Sequence, residues 1–222
     1  MQTRHRTALI FVGALLVVAG VGAFVATRGG DEDESSAAAS GDCEQVSKPP
    51  PKQEQFKKPQ QVLAKGQDAT AQVQTSCGEF TIDLVTEGSP KTANSFAFLA
   101  EQGFYDGTIF HRIAPGFVIQ GGDPTGTGSG GPGYTVTEPP PQDTTYEKGL
   151  VAMAKTSVEP PGASGSQFFV VTAPADAGLP PDYAVLGRVT DGMDVVETID
   201  KLGDAQEKPT QVVTIDKVTI SS

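Results

Sequence analysis

The 222-residue chain has no tryptophan, two cysteines and two histidines. His5 lies near the N-terminus, so His111, Cys43 and Cys77 are what remains downstream, too few for a His/Cys zinc site without carboxylate help. Positive charge is scarce as well: 16 Lys and Arg face 27 Asp and Glu, a formal charge of -11. From residue 67 onward 8 basic side chains meet 20 acidic ones, about -12 for that part. A surface so acidic should repel phosphate, which argues against nucleic acid and anionic lipid as partners of the folded part. Long apolar runs are also missing, with one exception at Ala8 to Thr27. What the chain has is 26 glycines, 17 prolines and 37% hydrophobic residues, enough for one core with an appendage.

The single apolar run follows Arg4 and Arg6 and carries no charge for 20 residues. As a helix it would reach roughly 30 Å, one bilayer core. Residues 1-27 are therefore expected to form a transmembrane anchor. The flanking Arg4 and Arg6, set against the acidic stretch Asp31 to Glu34, orient its N-terminus to the cytoplasm and the remainder outside. A cleaved signal peptide, giving a secreted chain, is the alternative. Residues 28-66 pass from acidic to Ala/Ser-rich to Pro/Lys/Gln-rich without apolar periodicity, and are expected to be a disordered linker. The two downstream cysteines would both lie outside the membrane, where disulfides persist; a Cys43-Cys77 bridge and two free thiols both remain open.

Residues 67-222 read as one mainly β domain. Ala69 to Thr75 and Phe80 to Val85 alternate as a hairpin through Cys77-Gly78. Pro90 to Gln102 reads as a helix, with Ser89 as N-cap, Pro90 at its first position and Gly103 as the stop. Leu150 to Ala154, Gln167 to Thr172 and Ala184 to Val189 are short apolar runs suited to buried strands. Met193 to Leu202 is a second helix before Gly203, and Gln211 to Ile220 a last strand. Many strands with two separated helices suggest a closed barrel capped at its ends.

The richest stretch is Phe110 to Tyr134, FHRIAPGFVIQGGDPTGTGSGGPGY. Were Thr108 to Ile113 one strand, Phe110 and Arg112 would share a face and His111 would turn away. After the Pro115-Gly116 turn, Val118 and Gln120 share a face in turn. A charged donor beside an amide and aromatic walls suits a neutral, partly apolar ligand. Gly126, Gly128 and Gly131 satisfy GxGxxG, but Pro132 follows where a phosphate-binding helix would have to open, so the run reads as a mobile loop. A hydrolase triad on His111 and Asp123 lacks a GxSxG elbow, and His111 reads as a satisfied structural side chain.

This stretch closely resembles the signature of the cyclophilin-type peptidyl-prolyl isomerases, and Gly165-Ser166-Gln167-Phe168-Phe169 resembles that family's second signature, the likeness running from about Ala69 to Ile220. The resemblance implies a closed eight-stranded antiparallel barrel with two capping helices. It makes Arg112 the chief catalytic residue, with Phe117 and Gln120 beside it, and assigns the proline pocket to Val118, Phe169 and Leu179, flanked by Ala154, Gln167 and Tyr183. It implies proline-containing polypeptides as partners and no metal or cofactor; the domain is expected to be a monomer. Lys155 stands where the family often has Asn. No tryptophan occurs in Asp176 to Pro181, where many members carry one, so cyclosporin-like inhibitors are expected to bind with reduced affinity. The competing reading is a proline-peptide binding module or holdase with incidental isomerase activity.

Overall fold

The computed structural model describes residues 43-222. The expected anchor at 1-27 and residues 28-42 of the expected linker lie outside them. No helix among the described residues is long and apolar enough to cross a membrane.

Alternation sets the first hairpin. Strand β1 (Thr70-Thr75) and β2 (Gly78-Leu84) pair antiparallel from Thr70↔Asp83 to Thr75↔Gly78. Ala71, Val73, Phe80 and Ile82 point into the core, while Gln72 and Gln74 stay outside and donate to Glu79. Helix α1 (Pro90-Glu101) begins with proline at its first turn, as the sequence suggests, yet the Ser89 hydroxyl makes no capping bond. Glu138, 46 residues beyond Thr92, caps the helix instead, accepting from the Lys91 and Thr92 amides. Most of α1 is buried, because it closes one end of the curled sheet.

Short strands follow: β3 (Thr108-Ile109), β4 (Arg112-Ala114), β5 (Val118-Gly121), β6 (Val136-Thr137), β7 (Leu150-Met153), β8 (Ala163-Ser164) and β9 (Phe168-Val171). Then come β10 (Val185-Asp191), helix α2 (Met193-Asp200) and β11 (Thr214-Ser221). Nine of the strands form one curled sheet in the order β3-β11-β1-β2-β10-β7-β9-β5-β4, and β6 pairs with β8 separately. The pairing gives a curled nine-stranded ladder where a closed eight-stranded barrel was expected; its end strands, β3 and β4, do not pair with each other, and a single bridge joins Ile109 of β3 to Asp123 just beyond β5. The two end strands are separated by a break in the chain. Thr108 to Ile113 is not one strand, because the Phe110 amide turns to Val213 O while the Ile113 amide turns to Glu207 O. The break also undoes the expected face-sharing: Phe110 is fully buried inside the sheet, and Arg112 lies outside.

The sheet thus has two apolar layers. The inner one holds Phe80, Phe96, Phe104, Tyr105, Phe110 and Phe168 against both helices, with ring pairs such as Phe96-Tyr105 at 4.8 Å and Phe96-Phe168 at 5.7 Å. The outer one is smaller and is built on Ala114, Val118, Tyr146, Ala152, Phe169 and Val171.

Residues 43-66, expected to be disordered, lie against this domain as an ordered strap without regular secondary structure. Cys43 and Cys77 form a disulfide, the Glu44 amide donates to Ser76 O, Phe56 packs edge-on to Phe98 at 5.2 Å, and Leu63 is buried. Asn94 on α1 accepts from the Val62 and Leu63 amides. A few well-spaced apolar groups and backbone donors fix the segment where periodicity gives no sign of it.

Candidate functional site

The register brings the site together in a row. Arg112 pairs with Gln120 across β4 and β5, Gln120 with Phe169 across β5 and β9, and Phe169 with Ala152 across β9 and β7. Residues paired this way share a face, so guanidinium, amide and phenyl ring stand side by side on the outer layer. Phe168, one residue earlier, faces the inner core.

The hairpin that presents Arg112 turns at Pro115-Gly116, with Gly116 at φ 69°. Asp200, the last residue of α2, accepts from the Gly116 amide at 2.9 Å and from the Thr172 hydroxyl at 2.7 Å, tying the turn to β9. Arg112 is held on two sides. Its Nε donates to Glu207 Oε2 at 2.7 Å, and a terminal nitrogen donates to Gln120 Oε1 at 3.3 Å. Its guanidinium carbon lies 6.0 Å from the centre of the Phe117 ring. Glu207 is the one described non-glycine residue with positive φ, 61°, a costly conformation that lets its carbonyl serve β4 while its carboxylate serves Arg112.

Phe117, Ala154, Leu179 and Tyr183 pack against the outer cluster that contains Val118 and Phe169. Tyr183 meets Phe169 edge-on at 5.4 Å. Tyr146 fixes it from beneath: its hydroxyl donates to Tyr183 O and accepts from the Tyr183 amide. Gln120 Nε2 donates to Gln167 Oε1 at 3.0 Å, and Gln167 Nε2 donates to Gly130 O at 2.9 Å. Every residue expected in the site therefore lies on this one face. Gln120, Ala154 and Gln167 also line a neighbouring open pocket of about 440 Å³, walled by Gly128 to Tyr134 and Lys155. Lys155, nearly buried, donates to Thr156 O and Glu159 O and lies 5.6 Å from the Tyr183 ring.

Four contributors escaped the sequence reading: Glu207, Tyr146, the strap, and Asp123. The last is fully buried and organises the glycine run. Burial alone would raise its carboxyl, but the Thr125, Gly128 and Gly130 amides and the Thr125 hydroxyl outweigh it and hold the pKa at about 2. Position 130 leaves no room for a Cβ against Asp123 Oδ1, so glycine is required there. The run expected to be mobile is in fact pinned at its first half. His111 sits beside Gly128, away from the Arg112 face. Its ring is largely enclosed, with the Ile109 backbone as its nearest polar neighbour and Asp123 close by, and burial lowers its pKa. Among the described residues no group of His, Cys, Asp and Glu could hold a metal ion.

An apolar floor, one oriented guanidinium and two amides share this face, and comparison with known proteins gives the family to which the chain belongs. Residues 70-220 match the family described as cyclophilin type peptidyl-prolyl cis-trans isomerase/CLD. The chain is 38% identical over 174 residues to the probable peptidyl-prolyl cis-trans isomerase A of Mycobacterium leprae, covering 70% of this chain and 93% of the relative. It is 39% identical over 154 residues to the isomerase ppi1 of Schizosaccharomyces pombe, covering 67% and 97%. A crystal structure of a Cryptosporidium parvum cyclophilin type isomerase superposes with a TM-score of 0.64 at 32% identity, covering 70% of this chain and 99% of that one. A second structure of that protein, in the presence of the dipeptide Ala-Pro, gives 0.63 at 33% identity, covering 69% and 99%. The chain belongs to the cyclophilin-type peptidyl-prolyl cis-trans isomerase family and has that family's enzymatic activity, with proline-containing peptides as the ligands the family binds.

Proposed function

We propose that the chain rotates X-Pro bonds of extracytoplasmic polypeptides by stabilising the twisted amide with Arg112. The uncatalysed barrier is about 18 to 20 kcal/mol, because rotation breaks amide resonance. In the twisted state the prolyl nitrogen regains a lone pair, which can accept a hydrogen bond that neither planar isomer can. A donor aimed there favours the transition state over both ground states, which is the requirement for catalysis. Arg112 suits the role because its guanidinium is a permanently charged, planar fork, already oriented by Glu207 and Gln120. That double restraint is the observation that carries the reading. Phe117, Val118, Phe169 and Leu179 hold the ring, with Tyr183 at its edge, and Gln120 reaches the backbone before proline.

The location rests on two supports. The uncharged run Ala8 to Thr27, preceded by Arg4 and Arg6, suits a single-pass anchor with the isomerase domain outside. The Cys43-Cys77 disulfide suits an oxidising compartment.

A protease-coupled proline-peptide assay tests the mechanism. Arg112→Ala, with the fold intact by circular dichroism, is expected to lower kcat/KM on the order of a hundredfold, as for the loss of one preorganised donor worth about 3 kcal/mol. Retention of most activity would discard the mechanism and favour the proline-binding reading. For the location, the chain should stay with membranes through a high-salt wash; recovery of a soluble chain starting near residue 28 or 40 would show cleavage instead.

A further inference from the structure

The strap lies N-terminal to the family-matched residues 70-220, yet it reaches the site. Three of its residues, spaced four apart, grip the segment from Pro124 to Pro132, whose later half walls the pocket. Lys48 Nζ donates to Gly126 O at 3.4 Å, the Lys52 amide to Pro124 O at 2.8 Å, and the Phe56 amide to Pro132 O at 2.7 Å. The Phe56 ring anchors this contact between Phe98 and Phe104, at 5.2 and 6.3 Å, and Gln55 lines the pocket itself. At Gly133, a Cβ would stand only 3.0 Å from Phe56 O and from Gln55 Cβ, so strap and loop are in direct contact.

The loop needs this support. Asp123 binds the amides as far as Gly130, but the second half, Gly131 to Gly133, is glycine and proline, and glycine loses the most freedom on ordering. From that loop a continuous chain of donors and acceptors runs to the catalytic face. Gly130 O receives Gln167 Nε2, Gln167 Oε1 receives Gln120 Nε2, and Gln120 Oε1 receives the Arg112 guanidinium. A displaced Gly130 carbonyl would turn the Gln167 amide, then that of Gln120, and so free one of the two restraints on Arg112.

We propose that the strap, residues 43-66, is a working part of the isomerase site: clamped onto Pro124, Gly126 and Pro132, it positions Arg112 through Gln167 and Gln120. Phe56 is its chief positioning residue. The inference rests on Arg112 as the catalytic group.

The test is a double-mutant cycle in the full chain, Phe56→Ala with and without Arg112→Ala, read as kcat and KM for a proline peptide. Residues that act through one another give non-additive effects. Phe56→Ala should lower kcat about fivefold with KM changed less than twofold, and should add nothing to Arg112→Ala. Phe56→Leu, which keeps an apolar anchor, should restore most of the loss. Unchanged kcat beside a lowered melting temperature would overturn the proposal, as would the same fivefold loss in both backgrounds. Should Arg112→Ala alone keep its activity, the mechanism under Proposed function fails first, which is a separate outcome. If Phe56→Ala does not fold, hydrogen exchange on the unaltered chain decides: the Phe56 amide should be protected as strongly as those of Thr127 and Gly128, and exchange at the rate of free chain would sink the idea.

Discussion

Phe168 and Phe169 are consecutive residues of one strand and answer to different demands. Phe168 points inward, where Phe96, Tyr105 and Phe110 surround it. Phe169 points outward, where Tyr146 and Tyr183 hold it as the floor of the site. A period of two lets one short strand build the core with one face and the candidate site with the other. The inner face is sealed by both helices; the outer face leaves Arg112 a third exposed and within reach of a peptide. Substitutions at neighbouring positions should therefore separate folding from turnover.

The largest effect belongs to the inner face. Phe168→Ala removes a fully buried ring from the middle of the aromatic cluster and should cost about 3 to 5 kcal/mol in urea unfolding. The fraction that still folds should keep kcat within a fewfold, since the row from Arg112 to Ala152 is untouched. Equal damage to kcat would mean the two faces are coupled and the separation is false.

On the outer face, Arg112→Lys should leave urea stability within about 0.5 kcal/mol and yet restore little of what Arg112→Ala loses. An ammonium cannot donate to Glu207, Gln120 and substrate in the geometry of the fork. Recovery of more than half the native kcat/KM would show that charge alone suffices.

How far the sequence reveals this division depends on the range of the interactions. Alternation separates Phe168 from Phe169 and places Val118 with Gln120, because a strand's periodicity is written in adjacent residues. Pro90 and Gly103 mark a helix for the same reason. The break at Phe110-His111 is not visible locally: it follows from Val213 and Glu207, a hundred residues on, competing for the amides. Glu138 replaces the expected Ser89 cap from a distant loop. The strap, with Phe56, Val62 and Leu63 scattered among polar residues, has no period to detect, and its order comes from partners supplied by the rest of the fold. Asp123 looks like any loop aspartate until the chain bends its donors around it.

Acid should expose that hub. His111 has a folded pKa lowered by burial, so below its ordinary 6.5 the unfolded chain binds more protons and stability falls. Asp123 adds a second loss. Its contribution is complete above an ordinary 3.8 and disappears as pH falls through about 2, a span worth about 2 kcal/mol. A melting-temperature profile should thus decline from about pH 6.5 downward and steepen below pH 4. In Asp123→Asn the steep acid limb should shrink; if it persists unchanged, carboxylates elsewhere dominate acid unfolding.

The smallest effect should come from Phe117, which belongs to the outer face without being buried by it. Its ring packs against the outer cluster and stands under Arg112, while its carbonyl accepts from the Thr172 and Ala173 amides. Those backbone bonds survive any side-chain change, so Phe117→Ala should lower urea stability by only about 1 kcal/mol. What it removes is one wall of the proposed proline pocket and the surface over which the guanidinium lies. Loss of the wall weakens ground and transition states alike, and uniform binding appears in KM, not kcat. KM should rise several-fold to tenfold, equivalent to about 1.4 kcal/mol at the upper end. The stacked guanidinium adds a smaller share at a partly exposed site, so kcat should fall no more than about threefold. Phe117→Leu, which refills the wall without the π face, separates the two: KM should return toward the native value while the modest kcat loss stays. A kcat loss as large as that of Arg112→Ala would mean that Phe117 orients the catalytic group as strongly as Glu207 and Gln120 do, and that pocket and catalyst on this face are one unit.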